Sequence, residues 1–150
     1  LEYASSVRSP YLLKHINAIE RVQKYFTRCI PCISHLSYPE RLAAIDLEPL
    51  ELRRLKADLL LYYKSYHDLV ALPFNDYFVQ SQNVSQTRTG GNRLLRPMCR
   101  TNRFENDFFN RSISCFNSLP SDAVNANSIY AFKHFLSSCD LSHFIHCSYL

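Results

Sequence analysis

Glycine is almost missing from this chain. Its 150 residues contain two, and those two, Gly90 and Gly91, are neighbours. Tight hairpin turns need backbone angles that glycine adopts without steric cost, so a sheet-rich chain of this length would need many more. Helices joined by prolines and short polar stops have no such requirement. The apolar residues agree, because most recur at three- to four-residue steps. A mainly α fold is predicted: a helical domain of about five helices with a short extended or hairpin element in the middle.

The first helix is predicted over residues 15–30, with Ile16, Ile19, Val22, Phe26 and Ile30 as a buried stripe and Glu20, Arg21, Gln23 and Lys24 facing water. Pro31 ends it. Ser37 followed by Glu40 has the form of a capping box opening a short helix through Leu42 and Ile45, stopping near Asp46. The longest helix is predicted over 49–70. Pro49 stands in its first turn, and Leu52, Leu55, Leu59, Tyr62 or Tyr63, Tyr66 and Leu69 form its buried face. Leu60 and Leu61 widen that face, so contacts on more than one side are expected. Pro73 closes it, and Phe74, Tyr77 and Phe78 begin a short packed turn. Residues 79–92 turn to Gln, Ser, Thr, Asn and Gly, the composition of a mobile loop or internal boundary. Residues 94–99 read as a brief extended segment. Phe109, Ile113 and Phe116 mark a further helix over 108–116, ended by Leu119-Pro120. Asn127 or Ser128 then caps a last helix carrying Ile129, Phe132, Phe135 and Leu136, with a frayed tail after Ser137. Composition thus divides the chain into helical residues 1–78, a basic segment 79–104 and helical residues 105–150.

The net charge of +4 is modest, but its distribution is uneven. No acid occurs from Tyr77 to Phe104, whereas Arg88, Arg93, Arg96, Arg100 and Arg103 all lie there. Guanidinium groups bind phosphate bidentately and are weakly hydrated. Gly90-Gly91 would let the loop approach a backbone closely, and Phe104 offers a face on which a base could stack. RNA or single-stranded DNA, bound weakly and without sequence preference, is the partner this pattern fits. Four phosphate contacts would give a logarithmic salt slope of about −3 to −4. The competing reading is a solubilising basic loop.

Patterns that would mark an enzyme are missing. The sequence has no Gly-x-Ser-x-Gly, no Walker A and no Rossmann glycine pattern. Two-metal phosphoryl chemistry needs clustered carboxylates, and no two aspartates are adjacent anywhere. His67, beside Asp68, reads as a partly exposed surface residue rather than a base. Cys29 and Cys32 have the spacing of a redox or zinc site. No second close pair follows at finger-like distance, and His143, His146 and Cys147 come far downstream. No metal site is expected; Cys29 and Cys32 are weak candidates, better read as helix-end cysteines. The six cysteines are sparse. With no secretory leader visible, they predict free thiols in a reducing cytoplasmic or nuclear setting, not a secreted scaffold. Cys115 and Cys139 read as buried apolar filler. No apolar run approaches the roughly 20 residues that span a bilayer, so no membrane partner is expected. A start at Leu1 instead of Met is what a piece of a longer product would show.

Four phrases in order carry a resemblance. They are Leu1-Glu2-Tyr3-Ala4-Ser5-Ser6-Val7-Arg8-Ser9-Pro10, Leu36-Ser37-Tyr38-Pro39-Glu40-Arg41-Leu42, Leu50-Glu51-Leu52-Arg53-Arg54-Leu55-Lys56-Ala57-Asp58, and residues 108–120 with Phe116-Asn117-Ser118-Leu119-Pro120. Together they resemble the closing segment of Jockey-type non-LTR (LINE) retrotransposon polyproteins, downstream of the reverse transcriptase core. The family usually has Trp at the positions of Arg8 and Phe116, and often Gly at that of Cys32. Phe109, Arg111, Phe116, Asn117, Leu119 and Pro120 then form a structural signature. Arg111 is expected to find a carboxylate or carbonyl, with Asn117 and Ser118 ending a helix. The resemblance implies a thumb-to-C-terminal portion of an RNA-directed DNA polymerase that holds template and primer. The Tyr-Ala-Asp-Asp-like aspartates, their magnesium and the endonuclease would belong to missing domains, with which this portion would associate. No cofactor and no activity are expected of this chain alone. A stand-alone protein-interaction module, or a nonfunctional translated remnant of a mobile element, is the alternative.

Overall fold

The computed structural model describes residues 2–80 and 93–146. It is mainly helical. In chain order the elements are α1 (Leu13–Arg28), α2 (Tyr38–Ala44), α3 (Leu50–Tyr66), α4 (Phe74–Tyr77), α5 (Asn102–Glu105), α6 (Phe108–Arg111), α7 (Ile113–Ser118), α8 (Ser121–Val124) and α9 (Ile129–Ser138). Single 3-10 turns lie at Pro31–Ile33 and Ser142–Phe144. The helices are more numerous and shorter than the predicted five. Pro73, Thr101 and Pro120 each start a one-turn helix, and the expected helix over 108–116 breaks at Ser112, which serves both as C-cap of α6 and N-cap of α7. Among the described residues there is no strand, only one isolated antiparallel bridge between Gln80 and Leu94.

The chain forms two compact units, Leu1–Leu55 with Leu141–Leu150, and Lys56–Asp140. They are drawn differently from the three compositional segments 1–78, 79–104 and 105–150. No helix among the described residues is long and apolar enough to cross a membrane.

In the first unit, α1 buries Ile16 as expected but otherwise turns the expected faces round. Its buried residues are Ile16, Glu20, Gln23 and Thr27, while Val22 and Phe26 are exposed. The reason is a set of polar partners supplied by other elements. The Glu20 carboxylate accepts the Leu50 N–H at 3.0 Å and the Tyr38 hydroxyl. This places an anion at the start of α3, where the helix dipole favours it. Gln23 Nε2 donates to the Tyr38 hydroxyl and to the Glu48 carbonyl, both at 3.1 Å, and Gln23 Oε1 accepts from Arg53. Arg41 Nε donates to Thr27 Oγ1 at 3.2 Å, and its Nη1 to the Leu36 carbonyl at 2.6 Å. Burial of Tyr38, reinforced by its bond to Glu20, pushes its hydroxyl well above the ordinary 10.0. The Ser37 N–H donates to Glu40 at 2.8 Å, closing the predicted box, and hydrogen bonding by the Ser37 side chain, then by its N–H, holds the Glu40 carboxyl below its usual range. Up to residue 146 the tail is packed where fraying was expected: Leu141 is buried, and the His146 N–H reaches Glu51 at 2.9 Å.

In the second unit the aromatics of α3 organise the core. Tyr62 is fully buried, with the rings of Phe78, Phe108 and Phe116 at 4.6, 5.2 and 5.6 Å. Its hydroxyl donates to the Phe108 carbonyl at 2.7 Å, so its one polar group is satisfied. Tyr63 stacks on Phe132 of α9 at 4.4 Å and donates to the Ala126 carbonyl at 2.5 Å. α3 stops at Tyr66, short of the predicted residue 70. Asp68 takes a left-handed φ of 52°, and the Leu69 N–H returns to the Lys64 carbonyl at 2.8 Å. This is the helix stop usually given to glycine, made here by an aspartate, one of the few residue types that tolerate it. Leu69 is consequently exposed, not part of the buried face. Ser128 caps α9 by accepting the Ala131 N–H at 3.1 Å.

Candidate nucleic-acid interface

The basic segment is pinned at one point. Leu94 is buried, its N–H donates to Asn117 Oδ1 at 2.8 Å, and its carbonyl accepts from Asn117 Nδ2 at 2.9 Å. Next to it, the Leu95 N–H donates to the Val79 carbonyl at 2.7 Å. The Asn117 amide thus copies the pairing of a neighbouring strand, so the segment stays extended with almost no sheet around it. Asn117 is a residue of α7 with this tertiary role, not the helix-ending group the sequence suggested; Ser118, donating to the Cys115 carbonyl at 2.6 Å, fits that role better.

Beyond this pin the arginines differ in their surroundings. Arg93, Arg100 and Arg103 are exposed and carry no ion pair among the described residues. Arg96 pairs with Glu105 at 2.5 Å, both half exposed, a contact worth little in water but one that lowers the local positive charge. Arg103 sits on α5, not on the extended run expected for it. Thr101 Oγ1 caps that turn by accepting the Phe104 N–H at 3.3 Å, and Asn110 Nδ2 donates to the Phe104 carbonyl at 2.8 Å. Arg88 lies outside the described residues.

Phe104 is half exposed and borders a groove of about 320 Å³ lined also by Tyr77, Leu95, Pro97, Asp107 and Phe109. Tyr77 stacks on Phe109 at 4.6 Å and 8° between planes. The arrangement offers cations for phosphate on an outward segment and an aromatic wall beside it. Asp76 and Asp107 also line this groove and give it negative charge.

The remaining signature residues are structural in geometry. Arg111 holds the nearly buried Asp58 with two bonds, Nε at 2.8 Å and Nη2 at 3.0 Å, and Ser112 Oγ donates to the same carboxylate at 3.4 Å. Phe116 and Leu119 are buried, Phe109 is half buried, and Pro120 starts α8. Arg8 is exposed; its N–H donates to the Ala4 carbonyl at 2.9 Å and its carbonyl accepts from Arg54 at 3.3 Å, so an arginine side chain here faces water without desolvation cost. His67 is half buried, its ring tilted against Tyr63 at 4.3 Å and 45° and bonded through Nε2 to the Val124 carbonyl at 2.8 Å, so the partly exposed residue also has a packing role.

Cys29 and Cys32 are exposed at the end of α1. Among the described residues no three His, Cys, Asp or Glu side chains gather where one ion could sit, and His146 turns its Nδ1 to Glu51 at 3.1 Å. Cys115 is buried as expected, and burial pushes its thiol up to about 12. Cys139 is only half buried. The sequence expectation set Glu20 and Gln23 facing water and gave Asp58 no role, yet all three are buried. The available signal was polar residues on faces that helical spacing makes continuous with Ile16, Leu55 and Leu59. Comparison with family models, curated proteins and solved structures gave no match.

Proposed function

We propose that this chain is a portion of a LINE-type RNA-directed DNA polymerase lying C-terminal to the catalytic core, and that it supports template or primer binding. The order of its four phrases along the chain supports the parentage. One observation carries the role: Arg93, Arg100 and Arg103 are exposed and carry no ion pair among the described residues, in the stretch that runs from the Asn117 pin to the half-exposed Phe104. The chain does no chemistry alone in this reading; paired aspartates and their magnesium belong to the polymerase core.

Contact of three arginines with a single strand corresponds to a logarithmic salt slope of about −2. The test is fluorescence anisotropy of a labelled oligo-uridine over a salt series. Replacing Arg93, Arg100 and Arg103 together by Gln should weaken binding and flatten the slope. Unchanged affinity in that variant would reject the segment as the contact, and no binding by the parent chain would reject the role.

A further inference from the structure

The groove beside α4 and α6 has a chemistry that a phosphate-binding arginine segment does not use. It lies wholly within the unit Lys56–Asp140 and measures about 320 Å³, the lower end of the size at which pockets hold small ligands. Three rings wall it. Tyr77 and Phe104 are half exposed, and Phe109 backs Tyr77 in a near-parallel stack at 4.6 Å. The Asp76 and Asp107 carboxylates share the lining, which includes no Lys or Arg among the described residues. Both are exposed, and neither makes a hydrogen bond or ion pair through its side chain among the described residues. The wall is held from behind. The Asp107 N–H donates to the Phe104 carbonyl at 3.3 Å, and Nδ2 of the buried Asn110 donates to the same carbonyl at 2.8 Å. Arg96, which stands between the lining residues Leu95 and Pro97, is engaged with Glu105.

We propose that this groove is a binding site for a guanidinium group, its plane against the Tyr77 or Phe104 ring and its N–H groups toward the Asp76 and Asp107 carboxylates. The lining selects that occupant. The face of an aromatic ring is negative, so rings and carboxylates attract the same cation. A guanidinium is planar and weakly hydrated, and it stacks on a ring while its edge donates to carboxylates; an ammonium is a strongly hydrated point charge. A nucleotide would stack as well, but its phosphate would meet two carboxylates of its own sign. A neutral apolar ligand would gain nothing from either carboxylate. The site shares Phe104 with the arginine segment and does not rest on the nucleic-acid reading, because it takes a cation where that segment takes an anion.

The test uses the whole 150-residue chain and follows the NMR signals of Tyr77, Phe104 and Phe109. Two probes carry the cation, argininamide as a free small molecule and a capped Gly-Gly-Arg-Gly-Gly peptide as a side chain on a polypeptide. Citrulline replaces arginine in a matched neutral pair of the same shape. The arginine probes should shift the three residues and the citrulline probes should not; whichever arginine probe binds more tightly names the source of the cation. Asp76→Asn with Asp107→Asn should weaken binding roughly fivefold, as loss of two solvent-exposed charge contacts does. Both positions are exposed, and asparagine caps a helix as well as aspartate, so this variant keeps its fold. Phe104→Leu keeps an apolar side chain but removes a ring face, and should also weaken binding. Equal shifts from citrulline and arginine probes overturn the proposal, as does affinity unchanged in the double Asn variant or no binding at all. So does an oligo-uridine that shifts the groove residues while the arginine probes leave them unmoved, because the occupant is then a nucleobase.

Discussion

The side-chain amide of Asn117 pairs with both backbone groups of Leu94, donating at 2.9 Å and accepting at 2.8 Å. A residue of the signature phrase thereby fixes the start of the arginine segment. Asn117→Ala leaves a buried N–H and carbonyl without their partner, at a cost of roughly 1–3 kcal/mol. Asn117→Asp keeps an acceptor for the N–H but sets a carboxylate against the Leu94 carbonyl, and should be no better. Urea denaturation gives the loss, and faster hydrogen exchange at the Leu94 amide shows where it falls. An unchanged exchange rate there would contradict the pinning role.

Arg111 and Asp58 make a second such pair, nearly buried and bidentate. Removing one partner strands the other charge, so Arg111→Met should cost about 3–5 kcal/mol. Asp58→Asn combined with Arg111→Met should recover part of that loss, because the stranded carboxylate is gone. The coupling is read from a double-mutant cycle in urea. Strict additivity would mean that the two side chains do not depend on each other.

Cys115 and Tyr62 are both raised by burial above their ordinary values, Cys115 from 9.0 to about 12 and Tyr62 above 10.0. The unfolded chain gives up these protons first, so the stabilisation is whole below about pH 9 and falls as pH rises toward 12. Each group can contribute a slope of up to about 1.4 kcal/mol per pH unit within its window. Urea midpoints should therefore drop between pH 8.5 and 10.5, and less steeply in Cys115→Ala. At pH 8, iodoacetamide should label Cys29 and Cys32 while Cys115 stays unmodified by mass spectrometry. Equal labelling of all three would show that Cys115 is not buried in solution.

Much of the fold was legible because its signals are local. Scarce glycine, three- to four-residue apolar steps, Ser37 with Glu40, Ser128, and prolines at 31, 73 and 120 act over a few residues, and the elements follow them closely. The candidate interface was partly legible for the same reason. An acid-free run of arginines is a property of sequence, whereas the pairing of Arg96 with Glu105 and the placing of Arg103 on α5 depend on how the segment bends back.

What failed was the assignment of faces on α1. Periodicity set Ile16, Ile19, Val22, Phe26 and Ile30 on one stripe, of which Ile16 is buried while Val22 and Phe26 are exposed. It cannot report which side meets the rest of the chain. That depended on Tyr38, Arg41, Leu50 and Arg53, residues distant in sequence that together give Glu20, Gln23 and Thr27 partners good enough to bury.

The sequence by itself determined that the chain is helical, where most helices start, and where its charge gathers, since backbone propensity, capping and composition are short-range. Only the tertiary structure decided that Asn117 holds Leu94, that Arg111 meets Asp58, and that α1 turns Glu20, Gln23 and Thr27 inward and Val22 and Phe26 outward. Burying a polar group is favourable only when a partner waits at hydrogen-bonding distance. The position of that partner is a property of the folded chain.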